Sequence, residues 1–113
     1  MKKLIILVLT MIVIGIMSCT VLATQTYQAT FYVDNTNGND SNSGTSPSNA
    51  FQTIERAKAA VRTINNDMYA DIIVYIRGGE YVLQDTLVFS ADDSGTNGHR
   101  ILYQAYGNES AVI

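Results

Sequence analysis

The chain has 113 residues, one cysteine, one histidine and a formal net charge of −3. A single cysteine and a single histidine exclude an internal disulfide framework and a zinc cluster of the usual spacings. Without Lys2 and Lys3, five basic residues face ten acidic ones, so the charge of residues 24–113 is −5. This acidic balance argues against nucleic acid or an anionic membrane surface as a partner, because both bind clustered Lys and Arg.

The N-terminus has the pattern of an export signal. Lys2 and Lys3 precede an uncharged, mostly apolar run from Leu4 to Met17. The run is shorter than the roughly 20 residues that a membrane-spanning helix needs, and it suits the core of a signal peptide. A buried helix of the mature fold is the alternative. The pattern favours export, and hence an extracytoplasmic, bacterial-type protein.

Two ways of processing this signal remain open. The small residues of Val21-Leu22-Ala23 predict cleavage after Ala23, with a signal peptide over 1–23. The segment Ile16-Met17-Ser18-Cys19 instead resembles a bacterial lipoprotein signal, in which Cys19 becomes the lipidated first residue after a signal over 1–18. Lipid on Cys19 would attach the protein to the membrane without a spanning helix.

The first half of the mature chain predicts one strand, one loop and one helix. Thr30-Phe31-Tyr32-Val33 is β-branched and aromatic, and therefore predicts a strand. Residues 34–50 are almost wholly Asn, Asp, Ser, Gly and Thr, which is typical of a loop. Thr53 suits a helix N-cap, and Asn65-Asn66-Asp67 suits a helix stop. Between them, one apolar stripe has helical spacing: Ile54, Ala57, Ala60, Val61 and Ile64.

After the helix, the sequence predicts only strands. Ile72–Ile76 is apolar at every position, as in a strand that is covered on both faces. Turn residues such as Gly, Asn and Asp separate the remaining runs. The further predicted strands are Tyr81–Leu83, Thr86–Phe89, Ile101–Tyr106 and Ala111–Ile113.

Two architectures fit this order of elements. In a compact α+β domain, the strands would form a meander over the helix. In a β-solenoid, they would stack coil upon coil, and the helix would close the exposed first coil, whose core and strand edges need cover. The spacing of the strands does not decide between the two.

Six blocks follow one another along the chain: Phe31–Asp34, Asn37–Thr45, Phe51–Ile54, Val74–Tyr81, Asp93–Thr96 and Ile101–Gly107. In this order and spacing they resemble the opening of secreted right-handed parallel β-helix proteins, the pectate-lyase-like superfamily. The resemblance implies a mainly β fold. Residues 24–113 would then form the N-terminal cap, with one amphipathic capping helix, and the first coils of a parallel β-helix domain.

The resemblance also implies a class of function. The intact protein would be a polysaccharide lyase or a glycoside hydrolase that acts on extracellular polysaccharide, and it would be a monomer. Such lyases use Ca²⁺ or a basic side chain, whereas the hydrolases use paired carboxylates. In these proteins the catalytic residues come from later coils, so none transfers to this chain. The alternatives are a non-catalytic surface or adhesion protein and a free-standing small α+β secreted domain.

The end of the sequence agrees with this expectation. It stops within the apolar run Ala111-Val112-Ile113, which predicts an incomplete chain with its catalytic residues beyond Ile113. Neither a cofactor nor a catalytic residue is therefore assigned to this segment, although Ca²⁺ stays open for the intact protein.

A cluster of oxygen-bearing side chains offers one metal hypothesis. Asp34, Asn37, Asn39 and Asp40 are close in sequence, and Ca²⁺ prefers oxygen ligands. The cluster does not follow the EF-hand pattern. Asn and Asp are also the usual residues of tight turns, which is the alternative reading.

Other candidates each have a structural alternative. Asp92-Asp93 offers a carboxylate pair for acid–base chemistry, or a turn. Arg77 offers a cation for a sugar carboxylate, or a capping arginine, and His99 has no obvious partner. Four tyrosines offer sugar-stacking faces, or a ladder within the core. They are Tyr75, Tyr81, Tyr103 and Tyr106.

Overall fold

The computed structural model describes residues 25–113. The predicted signal, its cleavage after Ala23 and the lipidation of Cys19 lie outside the described residues. Within 25–113, no helix is long and apolar enough to cross a membrane.

Five strands and one α-helix make up the described chain. They are β1 (Tyr27–Val33), α1 (Ile54–Arg62), β2 (Asp71–Ile76), β3 (Gly79–Glu80), β4 (Ile101–Ala105) and β5 (Ala111–Val112). Two short 3-10 turns, Pro47–Asn49 and Ala91–Asp93, lie in the connections. The first strand, the helix and the strands near 72 and 101 therefore form where the sequence predicts them.

Every strand pair among the described residues is parallel. One sheet has the order β1-β2-β4, and the other pairs β3 with β5. Ile72 pairs with Ile101, 29 positions later, and Gly79 pairs with Ala111, 32 positions later. These two ladders thus have similar sequence offsets, whereas β1 and β2 pair at offsets of 44 and 43 positions. Antiparallel pairing, as in the meander alternative, does not occur in this part of the chain.

The alternation of side chains along the three-stranded sheet separates a core face from an outer face. Phe31 and Val33 of β1 and Val74 of β2 point into the core and are buried. Tyr32 and Tyr75, which are paired in register, occupy the opposite face and are only partly buried. β2 has neighbours on both edges, which explains why its sequence is almost continuously apolar.

Helix α1 forms the connection between β1 and β2. Its N-cap is Thr53, as predicted: the Thr53 side chain accepts a hydrogen bond from the backbone N–H of Arg56. The buried face consists of Ile54, Ala57, Ala60 and Val61, and it joins the core that the sheet lines. The helix ends at Arg62, before the predicted stop, because Thr63 bonds back to the Ala60 carbonyl through both its backbone N–H and its hydroxyl.

The prediction of strands at Tyr81–Leu83 and Thr86–Phe89 is wrong. The backbone N–H of Tyr81 donates to the Val112 carbonyl, and the segment from there to Ser90 is irregular. Val82 is 86% exposed and Val88 is 59% exposed, so these apolar side chains do not line a sheet. A β-branched sequence is not sufficient for a strand, because a strand needs a neighbour for its backbone groups.

An ion pair ties the irregular segment to the helix. Arg62 Nε lies 2.6 Å from Asp93 Oδ1, and Arg62 Nη2 donates to Asp93 Oδ2 at 2.9 Å. Asp93 also accepts the backbone N–H of Ser90, which completes a capping box. The Arg62 guanidinium, followed by the Ser90 N–H, holds the pKa of the buried Asp93 carboxyl well below its usual range. The connection from β3 to β4 is thereby fixed against α1.

Gly44 lies against the buried ring of Phe51 and provides a test of how closely the loop packs on that ring. Its φ is +73°, and an added Cβ would lie 2.2 Å from Cε2 of the buried Phe51 ring. Gly98 has a similar φ of +80° but open space around it. We expect Gly44→Ala to lower the free energy of unfolding by about 2–4 kcal/mol, because left-handed strain and overpacking add. Gly98→Ala should cost only about 1 kcal/mol, since only strain applies.

Urea unfolding of the two variants measures the difference. Equal losses for Gly44→Ala and Gly98→Ala would contradict the close packing of Phe51 against this loop.

Candidate functional site

Three tyrosines meet on the outer face of the three-stranded sheet, and we call them the tyrosine cluster: Tyr32, Tyr75 and Tyr106. Tyr32 and Tyr75 are register partners on β1 and β2. Tyr106 directly follows β4, and its backbone N–H donates to the Ile76 carbonyl. Parallel stacking therefore brings together side chains that are far apart in sequence.

The rings of the tyrosine cluster are in mutual contact. The centroids of Tyr32 and Tyr75 are 5.6 Å apart with an interplanar angle of 30°. Tyr106 stands edge-on to both rings, with centroid distances of 5.8 Å to Tyr32 and 5.6 Å to Tyr75. These distances suit favourable aromatic pairs. Burial, then the neighbouring Tyr106 and Tyr75 phenols, raise the pKa of Tyr32, so its hydroxyl is protonated at neutral pH.

An arginine–glutamate pair borders the cluster. Arg77 Nε donates to Glu109 Oε1 at 2.8 Å, and Arg77 Nη2 donates to Glu109 Oε2 at 3.0 Å. The same guanidinium lies 4.8 Å from the centroid of the Tyr106 ring. The Arg77 hydrogen bonds, and next the Gly78 N–H, lower the pKa of Glu109 to about 2. Arg77 is thus held in place by a carboxylate and an aromatic ring together.

A cavity of about 360 Å³ lies between the start of α1 and the segment that follows β3. A second cavity of about 390 Å³ lies beside it and shares Thr53, Glu55 and Val82 in its lining. Glu55 and Glu80 are the carboxylates that line the first cavity, and no basic side chain lines it. The lining therefore supplies two carboxylates and no cation.

The proposed calcium residues lie in the loop after β1. Asp34 Oδ1 accepts the backbone N–H groups of Thr36 and Asn37, and Asn39 Oδ1 accepts that of Ser41. These bonds build the loop, which agrees with the turn reading. In the described part of the chain, no group of three or more His, Cys, Asp or Glu side chains is placed to hold a metal ion.

The Asp40 carboxylate bonds to residues at the start of α1 rather than to its own loop. Its Oδ1 accepts the N–H groups of Gln52 and Thr53, and its Oδ2 accepts the Thr53 hydroxyl. The carboxylate therefore ties the loop to the start of α1. The calcium hypothesis for this loop stays a prediction.

The remaining candidates from the sequence are Asp92, Asp93 and His99, and each has different surroundings in the structure. Asp93 is buried in its pair with Arg62, whereas Asp92 is exposed on the turn, so the two carboxylates do not converge. His99 has a neighbour that the sequence did not reveal: its Nδ1 lies 3.5 Å from Asp71 Oδ1. The Arg100 N–H, at 2.8 Å, is the main cause that lowers the pKa of Asp71.

Of the four candidate tyrosines, two pack inward and two belong to the tyrosine cluster. Tyr81 is buried, and its hydroxyl donates to the Arg77 carbonyl at 2.7 Å. Tyr103 points inward against Phe89, with ring centroids 5.3 Å apart, and burial raises its pKa to about 12. Only Tyr75 and Tyr106 join the outer-face cluster.

Two members of the site were missed from the sequence: Tyr32 and Glu109. A signal for Tyr32 was present, since Phe31-Tyr32-Val33 and Val74-Tyr75-Ile76 share an apolar–tyrosine–β-branched pattern. Glu109 gave no such signal, because its pairing with Arg77 depends on the parallel pairing of β2 with β4.

No protein-family model matches the chain, and no curated protein matches it. Among solved structures, the chain is similar to a glycoside hydrolase, with a TM-score of 0.64 and 25% sequence identity. The similarity covers 74% of this chain and 14% of that chain. The sequence thus spans a small part of the length of that protein, and the similarity supports a link with carbohydrate-active proteins.

The Arg77–Glu109 pair gives a pH prediction. The folded-state pKa of Glu109 is about 2, below its usual 4.5, so the ionised carboxylate stabilises the fold above pH 4.5. This contribution decreases as the pH falls from 4.5 and is lost through about 2. We expect Glu109→Gln to lower Tm slightly near neutral pH, since exposed pairs contribute little. The Tm values of variant and wild type should converge in acid.

Thermal unfolding followed by circular dichroism over a pH series measures this. Asp92→Asn, which removes an exposed carboxylate without such a pair, is the control. A Tm difference between Glu109→Gln and wild type that stays constant towards pH 2 would contradict the assignment.

Proposed function

We propose that this chain is the N-terminal part of an exported, carbohydrate-active protein that acts on extracellular polysaccharide. The observation that carries the proposal is the stacking of β1, β2 and β4 in parallel register within a chain similar to a glycoside hydrolase. Polysaccharide is the proposed partner, and the intact protein is proposed to be a monomer outside the cytoplasm.

The proposed architecture is a right-handed parallel β-helix of the pectate-lyase-like superfamily. Its support is the parallel pairing of β2 with β4 and of β3 with β5 at offsets of 29 and 32 positions, as expected where one coil stacks on another. Residues 34–70, with α1, replace the turns of an ordinary coil. In this proposal α1 closes the first coil by covering the core with its apolar face.

Glycoside hydrolysis is the reaction that we propose first, with polysaccharide lysis as the alternative within the same class. The hydrolase reading is supported by the similar solved structure. Because the similarity covers only 14% of that glycoside hydrolase, we assign the catalytic groups to coils of the intact protein outside 25–113. For a lyase, Ca²⁺ or a basic side chain would neutralise the uronate of the substrate.

Product analysis of the intact protein tests the proposal. A panel of neutral and uronate-containing polysaccharides is incubated with the protein, and new reducing ends and unsaturated uronate products are measured. New reducing ends without unsaturated products are expected, because hydrolysis adds water across the glycosidic bond. Unsaturated products would instead establish a lyase, and their loss with a calcium chelator would show that the lyase uses Ca²⁺.

A mock preparation from expression cells that lack the gene is the control for contaminating activity. Absence of both cleavage and binding across the panel would contradict a carbohydrate-active protein.

A further inference from the structure

The tyrosine cluster lies on the face of β2 that also carries Ile73, which is fully buried. The core is formed on the opposite face of the sheet, around residues such as Phe31 and Val74. Each ring of the cluster keeps part of its surface exposed. Among residues 25–113, the hydroxyls of Tyr32, Tyr75 and Tyr106 donate no hydrogen bond to another residue, in contrast to the hydroxyl of Tyr81. The cluster thus combines aromatic surface with hydroxyls available to a ligand.

Such a surface has a recognisable chemistry. The C–H faces of pyranose rings pack on aromatic rings, and phenol hydroxyls bond to sugar hydroxyls. Two tilted rings from successive strands, 5.6 Å apart, give a platform that extends across the strands. Tyr106, edge-on and backed by Arg77, borders this platform.

The charges around the platform limit which sugar it takes. Arg77 is the cation nearest the cluster, and Glu109 occupies it through two hydrogen bonds. Asp34, whose charge also acts on Arg77, adds a further negative charge nearby. A uronate carboxylate would have to displace Glu109 and approach a surface with excess negative charge.

Among residues 25–113, the other lysine and arginine side chains bond to groups outside the tyrosine cluster. Each bonds to a group of the protein, and in two cases the partner is a carboxylate. The pairs are Arg56 with the Asp40 carbonyl, Lys58 with the Val88 carbonyl, Arg62 with Asp93, and Arg100 with Asp71. The outer face therefore offers stacking and hydroxyls but no unpaired cation.

We propose that the tyrosine cluster is a non-catalytic subsite for neutral pyranose units of a polysaccharide, and that the Arg77–Glu109 pair excludes uronates. The proposal rests on the proposed function and adds the class of sugar. The subsite holds a neutral chain against the first coils of the fold.

Affinity electrophoresis of the intact protein in gels that contain soluble xylan or soluble β-glucan tests the stacking. Tyr75→Ala should weaken retardation by at least one of these neutral probes about tenfold, since a ring contact is lost. Tyr75→Phe keeps the ring and should stay within about twofold of wild type. Tyr69→Ala, a tyrosine that is 74% exposed outside the cluster, is the matched control and should leave binding unchanged.

Gels that contain polygalacturonate test the role of charge. Wild type should not be retarded, whereas Glu109→Gln frees the Arg77 guanidinium and should gain retardation. Asp92→Asn removes the same charge from an exposed turn and should gain none. Equal gains for both variants would show that only net charge matters, and would overturn the role of the Arg77–Glu109 pair.

The results of these experiments also test the proposed subsite independently of the proposed function. Polysaccharide cleavage with unchanged neutral binding in Tyr75→Ala would overturn the subsite and leave the function in place. Retardation of wild type by polygalacturonate alone would overturn the neutral-sugar preference. Neither cleavage nor retardation with any probe would overturn both proposals.

Discussion

The position of β2 between two parallel neighbours is the constraint on which the rest of the structure depends. Both edges of β2 are paired, and Ile72, Val74 and Ile76 bury one face in the core. Parallel strands cannot be joined by a tight turn, so a crossover must connect each pair. Helix α1 lies in the first crossover, and the segment held by Asp93 lies in the second.

The same register produces the outer-face surface. Because β1, β2 and β4 stack without antiparallel reversal, Tyr32 and Tyr75 fall side by side and Tyr106 follows at the end of the third strand. Glu109, in the turn after β4, reaches Arg77 directly after β2 for the same reason. The outer-face surface therefore extends across three adjacent strands. That geometry suits a long polymer better than a small molecule, and it agrees with the proposed polysaccharide partner.

Local patterns in the sequence were sufficient for α1 and for the strands that bury apolar residues. Thr53 and the stripe that begins with Ile54 predicted the helix, since capping and periodicity are local. They were not sufficient at Val82 and Val88, where β-forming residues have no neighbouring strand. The partnership of Tyr32 with Tyr75 was also hidden, because the crossover between β1 and β2 obscures their register. Local sequence patterns therefore predict individual elements better than they predict contacts between strands that are distant in sequence.

Disulfide cross-linking tests the parallel register most directly. Tyr75 and Gln104 are register partners, so a Tyr75→Cys/Gln104→Cys variant should form an intramolecular disulfide rapidly. If the same two strands ran antiparallel about the Ile73–Leu102 pair, Tyr75 would instead lie opposite Arg100. The account predicts rapid oxidation of the first variant and slow oxidation of Tyr75→Cys/Arg100→Cys, measured by mass spectrometry. Preferential oxidation of the second variant would contradict the stacking on which the fold and the surface depend.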